Sequence, residues 1–145
     1  MEIKQQDATP NRPEGDRVID APYVFVDLPA FVEQVKDEKA WEKSDRNSIT
    51  VFKPAGMTIV ITAMKEGAVI KDNTVNGFFT VQVIEGSIRM ETLEGDTKMT
   101  EHQLISFHPM VPHSIEATAG CVLLLITFDV DNKASLDNSA AKSNL

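Results

Sequence analysis

From Ser48 onward the chain consists of short apolar segments separated by turn residues at nearly regular intervals. The turn sequences are Pro54-Ala-Gly56, Lys65-Glu-Gly67, Asn76-Gly77, Glu85-Gly86 and Glu94-Gly-Asp96. Short β-prone segments with this punctuation are typical of sandwiches and barrels. We therefore expect an all-β domain over the second and larger part of the chain.

The alternation of apolar and polar residues predicts which side chains point inward. Phe79, Val81 and Val83 alternate with Thr80 and Gln82, and side chains two apart in a strand share a face. The first three should therefore line the interior. The same alternation gives two further apolar sets: Met57, Ile59 and Ile61 on one strand, and Ile88 with Met90 on another.

Length and charge limit the class of protein. The chain has 145 residues, of which 42% are hydrophobic and 25% charged, as in one ordinary globular domain. Its 14 basic and 22 acidic residues leave a net charge of -8, which repels phosphate backbones and anionic headgroups. We expect neither a nucleic-acid nor a membrane partner.

The sequence divides into four segments. Residues 1–20 are polar and should form an N-terminal arm, and residues 131–145 should form a polar C-terminal tail. Within 21–44, Tyr23-Val-Phe-Val26 predicts a short strand, and Asp27 offers an N-cap to one amphipathic helix that ends near Trp41. The β-barrel occupies residues 45–130, with strands from about Ile49 to Phe128.

The cysteine count and the N-terminal sequence indicate the cellular compartment of the protein. Cys121 is the single cysteine, so it can form no intramolecular disulfide, and its place in an apolar run predicts a core residue. The first residues lack the apolar stretch of a secretion signal, and no apolar run approaches the roughly 18 residues of a membrane span. We expect a cytoplasmic protein.

The segment from Gly67 to Gly86 resembles the first motif of the cupin superfamily, which reads glycine, five residues, His-x-His, three or four residues, glutamate, six residues, glycine. The frame fits without a gap, but Asn73, Val75 and Phe79 stand where the two histidines and the glutamate would be. The second cupin motif fits residues 102–117 more loosely, with His113 on its histidine. The resemblance covers residues 45–130 and implies a small cupin, a double-stranded β-helix or jelly-roll-like barrel.

A catalytic Zn or non-haem Fe site needs about three protein ligands of N or O type directed at one point. The matched positions supply His113 alone, because Val75 and Phe79 cannot coordinate a metal and Asn73 offers only a neutral amide. We therefore predict no metal and no cofactor. His102 and His108 lie outside the matched positions, and whether either joins His113 in a non-standard metal site stays open.

Two roles for His113 remain: a core histidine bonded to a backbone carbonyl at the Pro112 turn, or a polar group in an apolar pocket. The predicted pocket consists of His113, Asn73, Val75, Phe79 and Met90. The expected function is metal-free small-molecule binding without catalytic residues. The alternative is a cupin enzyme of dioxygenase, isomerase or decarboxylase type using His113 as general base. A third possibility is a metabolite sensor acting through protein contacts.

The last expectation concerns the oligomeric state of the protein. Small cupins commonly dimerise through sheet edges, and the segment Tyr23-Val-Phe-Val26 with the N-terminal arm could supply an exchanged edge. The resemblance therefore implies a homodimer.

Overall fold

The computed structural model of the chain describes residues 1–130. The predicted C-terminal tail at 131–145 lies outside these residues. The elements are β1 (Lys4–Gln6), β2 (Arg17–Asp20), α1 (Leu28–Asp37), α2 (Lys39–Lys43), β3 (Arg46–Phe52), β4 (Met57–Met64), β5 (Val69–Asn73), β6 (Gly77–Glu85), β7 (Ser87–Thr92), β8 (Gly95–Thr100), β9 (Leu104–Phe107), β10 (His113–Ala117) and β11 (Cys121–Asp129).

Two antiparallel sheets face each other. One has four strands in the order β5-β10-β7-β8, and the other has five in the order β3-β4-β11-β6-β9. Side chains from both inner faces form one apolar core, to which Met90 and Ile115 contribute from the smaller sheet and Val81 and Leu123 from the larger. The predicted all-β barrel is therefore confirmed.

Strand polarity follows the sequence pattern with one correction. Phe79, Val81 and Val83 are buried in the core between the sheets, as predicted. Ile59 and Ile61 do share a face, but it is the outer face of the larger sheet, where they pack against α1. The alternation identifies the shared face but not its side, because both faces of this sheet are covered at that point.

Helix α1 closes a second apolar core on the outer face of the larger sheet, where Val32 and Val35 are buried against it. Asp27 is the N-cap, as predicted, and its carboxylate accepts a hydrogen bond from the Ala30 backbone N–H at 3.4 Å. The predicted single helix to Trp41 is wrong. The chain is extended at Glu38 (φ −77°, ψ 151°), where the Glu38 side chain binds Arg12 and Asn47, and α2 then begins at Lys39.

The N-terminal arm is more structured than its polar composition indicates. β1 and β2 form an antiparallel pair, and Ile19 of β2 is buried. The Ile19 carbonyl accepts a hydrogen bond from the Lys53 N–H at 2.7 Å, which joins the arm to the end of β3. The polar residues misled the prediction because hairpin strands with one exposed face need few apolar residues.

The strand predicted at Tyr23-Val-Phe-Val26 does not form among the described residues. Tyr23 and Phe25 are each 88% exposed, and Val26 packs on the core under α1. β-prone residues form a strand only where a partner strand is available, and this segment has none within residues 1–130. The homodimer itself stays a prediction. The division of the chain into the four segments named above also stays a prediction.

No helix in the part of the chain that the structure describes is both long and apolar enough to cross a membrane.

Candidate functional site

His113 is the first residue of β10, where it lies opposite Asn73 of β5 and Thr92 of β7. Its side chain is buried, with only 3% of the residue exposed. The imidazole lies between two phenyl rings in stacked geometry, at 5.3 Å from the centroid of Phe79 and 4.6 Å from that of Phe107. The histidine thus occupies the middle of a three-ring stack at one end of the barrel.

Both ring nitrogens of His113 have hydrogen-bond partners. Nδ1 lies 3.1 Å from the Val111 carbonyl oxygen, which can only accept, so Nδ1 carries the proton and donates. Nε2 lies 3.1 Å from Nδ2 of Asn73 and accepts from that amide. The neutral imidazole therefore has its one donor and one acceptor satisfied, and neither nitrogen is left for a substrate or a metal.

A β-bulge in β5 aligns Asn73 with the histidine. His113 pairs with Asn73, whereas Ile115 two residues later pairs with Ile70, so β5 carries an extra residue between these two pairs. Asp72 takes up the irregularity with a positive φ of 50°, and its backbone N–H donates to Ser114 Oγ at 2.9 Å. Sequence reasoning proposed Asn73 from its motif position, and the bulge gives that side chain its direction.

The remaining predicted pocket residues belong to the core. Phe79 is 6% exposed and Met90 is fully buried, and half-buried Val75 packs against the same apolar cluster. These three predicted residues therefore lie in or beside the core around His113, and their side chains fill the interior. The prediction that they line a ligand pocket is not tested by this arrangement and stays a prediction.

A small cavity of about 120 Å³ lies outside the ring stack. Its wall includes Asp72, Glu91, Thr92, Leu93, Pro112, His113 and Ser114. Since one water occupies about 30 Å³ of liquid, the cavity has room for a few waters only. It is too small for a ligand of drug size, which needs about 300 Å³ or more.

The cupin resemblance implies a metal, which would need a suitable set of donor atoms around His113. Asn73 and Phe79, which occupy two of the three ligand positions of the first motif, both contact His113. These positions present one imidazole, one neutral amide and apolar groups, instead of about three N or O ligands. The residues present do not fit a catalytic metal.

The other two histidines do not complete a metal site. His108 lies against Phe78, with ring centroids 5.2 Å apart, and Phe78 points to the outer face of β6 while Phe79 points inward. His102 is exposed in the turn between β8 and β9, at a positive φ of 75°. No cluster of three or more His, Cys, Asp or Glu side chains suited to a metal occurs within residues 1–130.

A larger groove, which the sequence did not predict, lies between the N-terminal arm and α1. Its volume is about 480 Å³. The lining residues are Pro10, Asn11, Pro13, Glu14, Ala30, Glu33, Gln34, Asp37, Glu38 and Lys39. The two prolines in the arm were the sequence signal, since they favour the turns that this segment forms beside the helix.

A partly buried ion pair between Arg12 and Glu38 lies at one end of the groove. The Arg12 guanidinium donates to both carboxylate oxygens of Glu38, at 2.8 to 3.0 Å, and Asn47 Nδ2 donates to the same carboxylate at 3.0 Å. Burial opposes ionisation of Glu38, but the hydrogen bonds from Arg12 and Asn47 outweigh it and hold its pKa below the ordinary value. This pair fixes the arm to the junction between α1 and α2.

Comparisons with known proteins identify the fold. No protein-family model matches the sequence, and no curated protein matches it. Among solved structures, a conserved Streptococcus pyogenes protein of unknown function has a TM-score of 0.61 at 17% identity, covering 87% of this chain and 97% of that one. A cupin superfamily protein from Desulfitobacterium hafniense has a TM-score of 0.57 at 12% identity, covering 59% and 78%.

An RmlC-like cupin from Shewanella frigidimarina gives a similar result, with a TM-score of 0.56 at 13% identity over 61% of this chain and 80% of that one. Likeness at this level of identity defines a fold. The chain therefore has the fold of a small cupin, which confirms the resemblance inferred from its glycine frame.

Proposed function

We propose that this protein is a metal-free cupin module that binds a small molecule outside the barrel interior and has no catalytic centre at the motif positions. The observation that carries the proposal is the state of His113. Its ring is stacked between Phe79 and Phe107, and both its nitrogens are hydrogen-bonded. The group that would act as ligand or base is thus part of the core.

The enzyme alternative needs a free nitrogen on His113. A general base must lie within hydrogen-bond reach of the proton that it removes. Here Nε2 accepts from Asn73, and the adjoining cavity of about 120 Å³ holds no substrate larger than a few waters. No observation favours catalysis over binding.

The groove between the arm and α1 supports a binding role by its size. Ligand sites are typically clefts of roughly 300–1,000 Å³, and this groove, at about 480 Å³, falls in that range. Pro10, Pro13 and Ala30 give it apolar walls, while Asn11 and Gln34 add amide groups. A compact ligand with an apolar body and a few polar groups matches this lining.

The charges of the groove limit the ligand further. Glu14, Glu33 and Asp37 line it together with one cation, Lys39, and the fourth carboxylate, Glu38, is neutralised by Arg12. The net negative charge of these side chains repels phosphorylated and carboxylate ligands. The ligand class that we propose is therefore neutral or cationic.

The test uses amine-bearing and neutral fragments as probes and backbone NMR shifts as readout. We expect the perturbed resonances to cluster around Asn11 and Gln34, and to return to baseline in Ala30→Phe, which fills the groove. Ala55→Phe adds the same ring at an exposed turn and is the matched control. Perturbations centred on Phe79, Met90 and His113 would instead place binding inside the barrel and overturn the proposal.

A further inference from the structure

A second cleft lies where the β1–β2 hairpin, the link between β2 and α1, and α1 itself meet; we call it the hairpin cleft. Its volume is about 390 Å³, within the range of roughly 300–1,000 Å³ that is typical of small-ligand sites. It shares no lining residue with the groove between the arm and α1. The side chains that matter for its chemistry are Ile3, Arg17, Val18, Tyr23, Phe25 and Phe31.

The walls of the hairpin cleft are apolar and aromatic. Tyr23 and Phe25 are each 88% exposed, and Phe31 of α1 lines the same cleft. Ile3 and Val18 add exposed aliphatic surface from the hairpin. Rings that are left in water gain free energy when another apolar group covers them, and aromatic rings pair in stacked or edge-on geometry. An aromatic ligand therefore fits these walls.

Arg17 is the only charged side chain among the described residues that line the hairpin cleft. Its Nε donates to the Thr50 carbonyl oxygen and its Nη1 to the Gly15 carbonyl oxygen, both at 2.7 Å. A guanidinium has five N–H donors, so these two bonds leave the others available. The backbone thus fixes the position of the group without using up its donors or neutralising its charge.

Arg17 is also the one arginine without a carboxylate partner in the part of the chain that the structure describes. The other three, Arg12, Arg46 and Arg89, each form an ion pair with at least one Asp or Glu. The Glu38 carboxylate lines a neighbouring cleft together with Arg17, but Arg12 already occupies both of its oxygens. Burial lowers the pKa of Arg17, because it removes water from the charged form. A half-buried cation of this kind is stabilised by an anion that binds beside it.

We propose that the hairpin cleft binds a small aromatic carboxylate, with its ring against Tyr23 and Phe25 and its carboxylate on the guanidinium of Arg17. The planar carboxylate matches the planar array of guanidinium donors, which makes this pairing stronger and more directional than a contact with a neutral group. The site is separate from the groove of the proposed function, and its ligand has the opposite charge preference.

The net charge of -8 opposes the approach of any anion, but the charges closest to the ligand have the largest effect on its binding. Salt screens the interaction between exposed charges beyond about 8–10 Å. No carboxylate lines the hairpin cleft within residues 1–130, whereas Glu14, Glu33 and Asp37 line the groove. The cleft is therefore a local exception on an acidic surface.

A reporter for this cleft is available because Tyr23 is the only tyrosine in the sequence. Incorporation of meta-fluorotyrosine therefore gives a single fluorine NMR resonance from the cleft wall. The probe is naphthoate, and naphthamide, which has the same rings but no charge, is its control. We expect naphthoate to shift the resonance with a Kd of about 1 mM, and naphthamide to bind about tenfold more weakly.

Four variants test the contacts. Arg17→Met should weaken naphthoate about tenfold and remove its advantage over naphthamide, whereas Lys98→Met removes a positive charge from exposed β8 and should change neither probe. Phe25→Ala should weaken both probes, because each loses an aromatic wall. Leu93→Ala is its control at an 87% exposed residue of the β7–β8 turn.

Circular dichroism and thermal unfolding establish that each variant is folded. The comparison of naphthoate with naphthamide uses the wild type alone, so it tests the inference even if Arg17→Met does not fold. Equal affinity for the two probes, or no shift with naphthoate, would overturn the inference. So would a preference for naphthoate that persists in folded Arg17→Met, because another cation would then hold the carboxylate.

Ala30→Phe separates this site from the groove of the proposed function, which that substitution fills. We expect naphthoate to shift the Tyr23 resonance of Ala30→Phe with unchanged affinity. Loss of naphthoate binding in this variant would place the probe in the groove and overturn the inference. None of these outcomes depends on whether the groove binds a neutral or cationic ligand, so the two proposals can fail independently.

Discussion

Replacing His113 with alanine tests whether this residue belongs to the core. The ring is almost fully buried between Phe79 and Phe107, so its removal leaves a cavity with two aromatic walls. Truncating a buried aromatic side chain costs about 3–5 kcal/mol, and the smaller imidazole should cost about 3 kcal/mol. The lost hydrogen bonds add little, because half-buried Asn73 and exposed Val111 can bond to water instead.

The assay is urea unfolding followed by circular dichroism. A domain of this size has about 5–15 kcal/mol of stability, so His113→Ala should fold but unfold at a lower urea midpoint with an unchanged m-value. The melting temperature should fall by about 6–12 °C. His108→Ala is the matched control, since this exposed histidine should change stability by no more than about 0.5 kcal/mol.

His113→Phe separates packing from hydrogen bonding, because it retains a ring in the stack and removes both nitrogens. We expect an intermediate loss of about 1–2 kcal/mol. If His113→Ala were within about 1 kcal/mol of the wild type, the ring would contribute nothing to the core and the reasoning would be refuted.

Two glycines, one ion pair and one cysteine give further predictions. Gly86→Ala should cost more than about 3 kcal/mol, because the new Cβ would lie 2.1 Å from the Gly120 carbonyl oxygen at a φ of 78°. Gly67→Ala, at a φ of 88° but in open space, should cost only about 1 kcal/mol by the same urea assay. Because Glu38 has a lowered folded pKa, its stabilisation is present above its ordinary pKa of 4.5 and is lost as the pH falls through the folded value. The urea midpoints of the wild type and Glu38→Gln should therefore differ at neutral pH and converge in acid, and a constant difference would count against the ion pair. Burial raises the pKa of Cys121 to about 11, so maleimide should label the native protein slowly at neutral pH and quickly in urea; rapid native labelling would show that the strand opens.

The fold was predictable because its signals are local. Turn residues separate the strands, and the alternation at Phe79–Val83 identifies the inner face without any knowledge of partners. The glycine frame carries steric information of the same kind, since Gly86 has a backbone carbonyl where a Cβ would be. These features depend on residues that are close together along the chain or on a single pair of strands.

The errors came from features that depend on distant partners. The break at Glu38 arises from its ion pair with Arg12, which is 26 residues earlier in the chain. The segment Tyr23–Val26 has β propensity but no partner strand in the described part of the chain. The surroundings of His113 also depend on a distant residue, Phe107, which no motif position identifies, and the predicted pocket there stays a prediction.

Elemental analysis of the protein purified without chelator tests the central claim most directly, together with thermal unfolding after addition of Fe(II), Mn(II), Ni(II) or Zn(II). A metal bound to the folded state would raise the melting temperature. The account predicts substoichiometric metal and no shift with any of the four ions, for the wild type and for His113→Ala alike. One metal per chain, lost in His113→Ala, would contradict it, because His113 would then be a ligand and not part of the core.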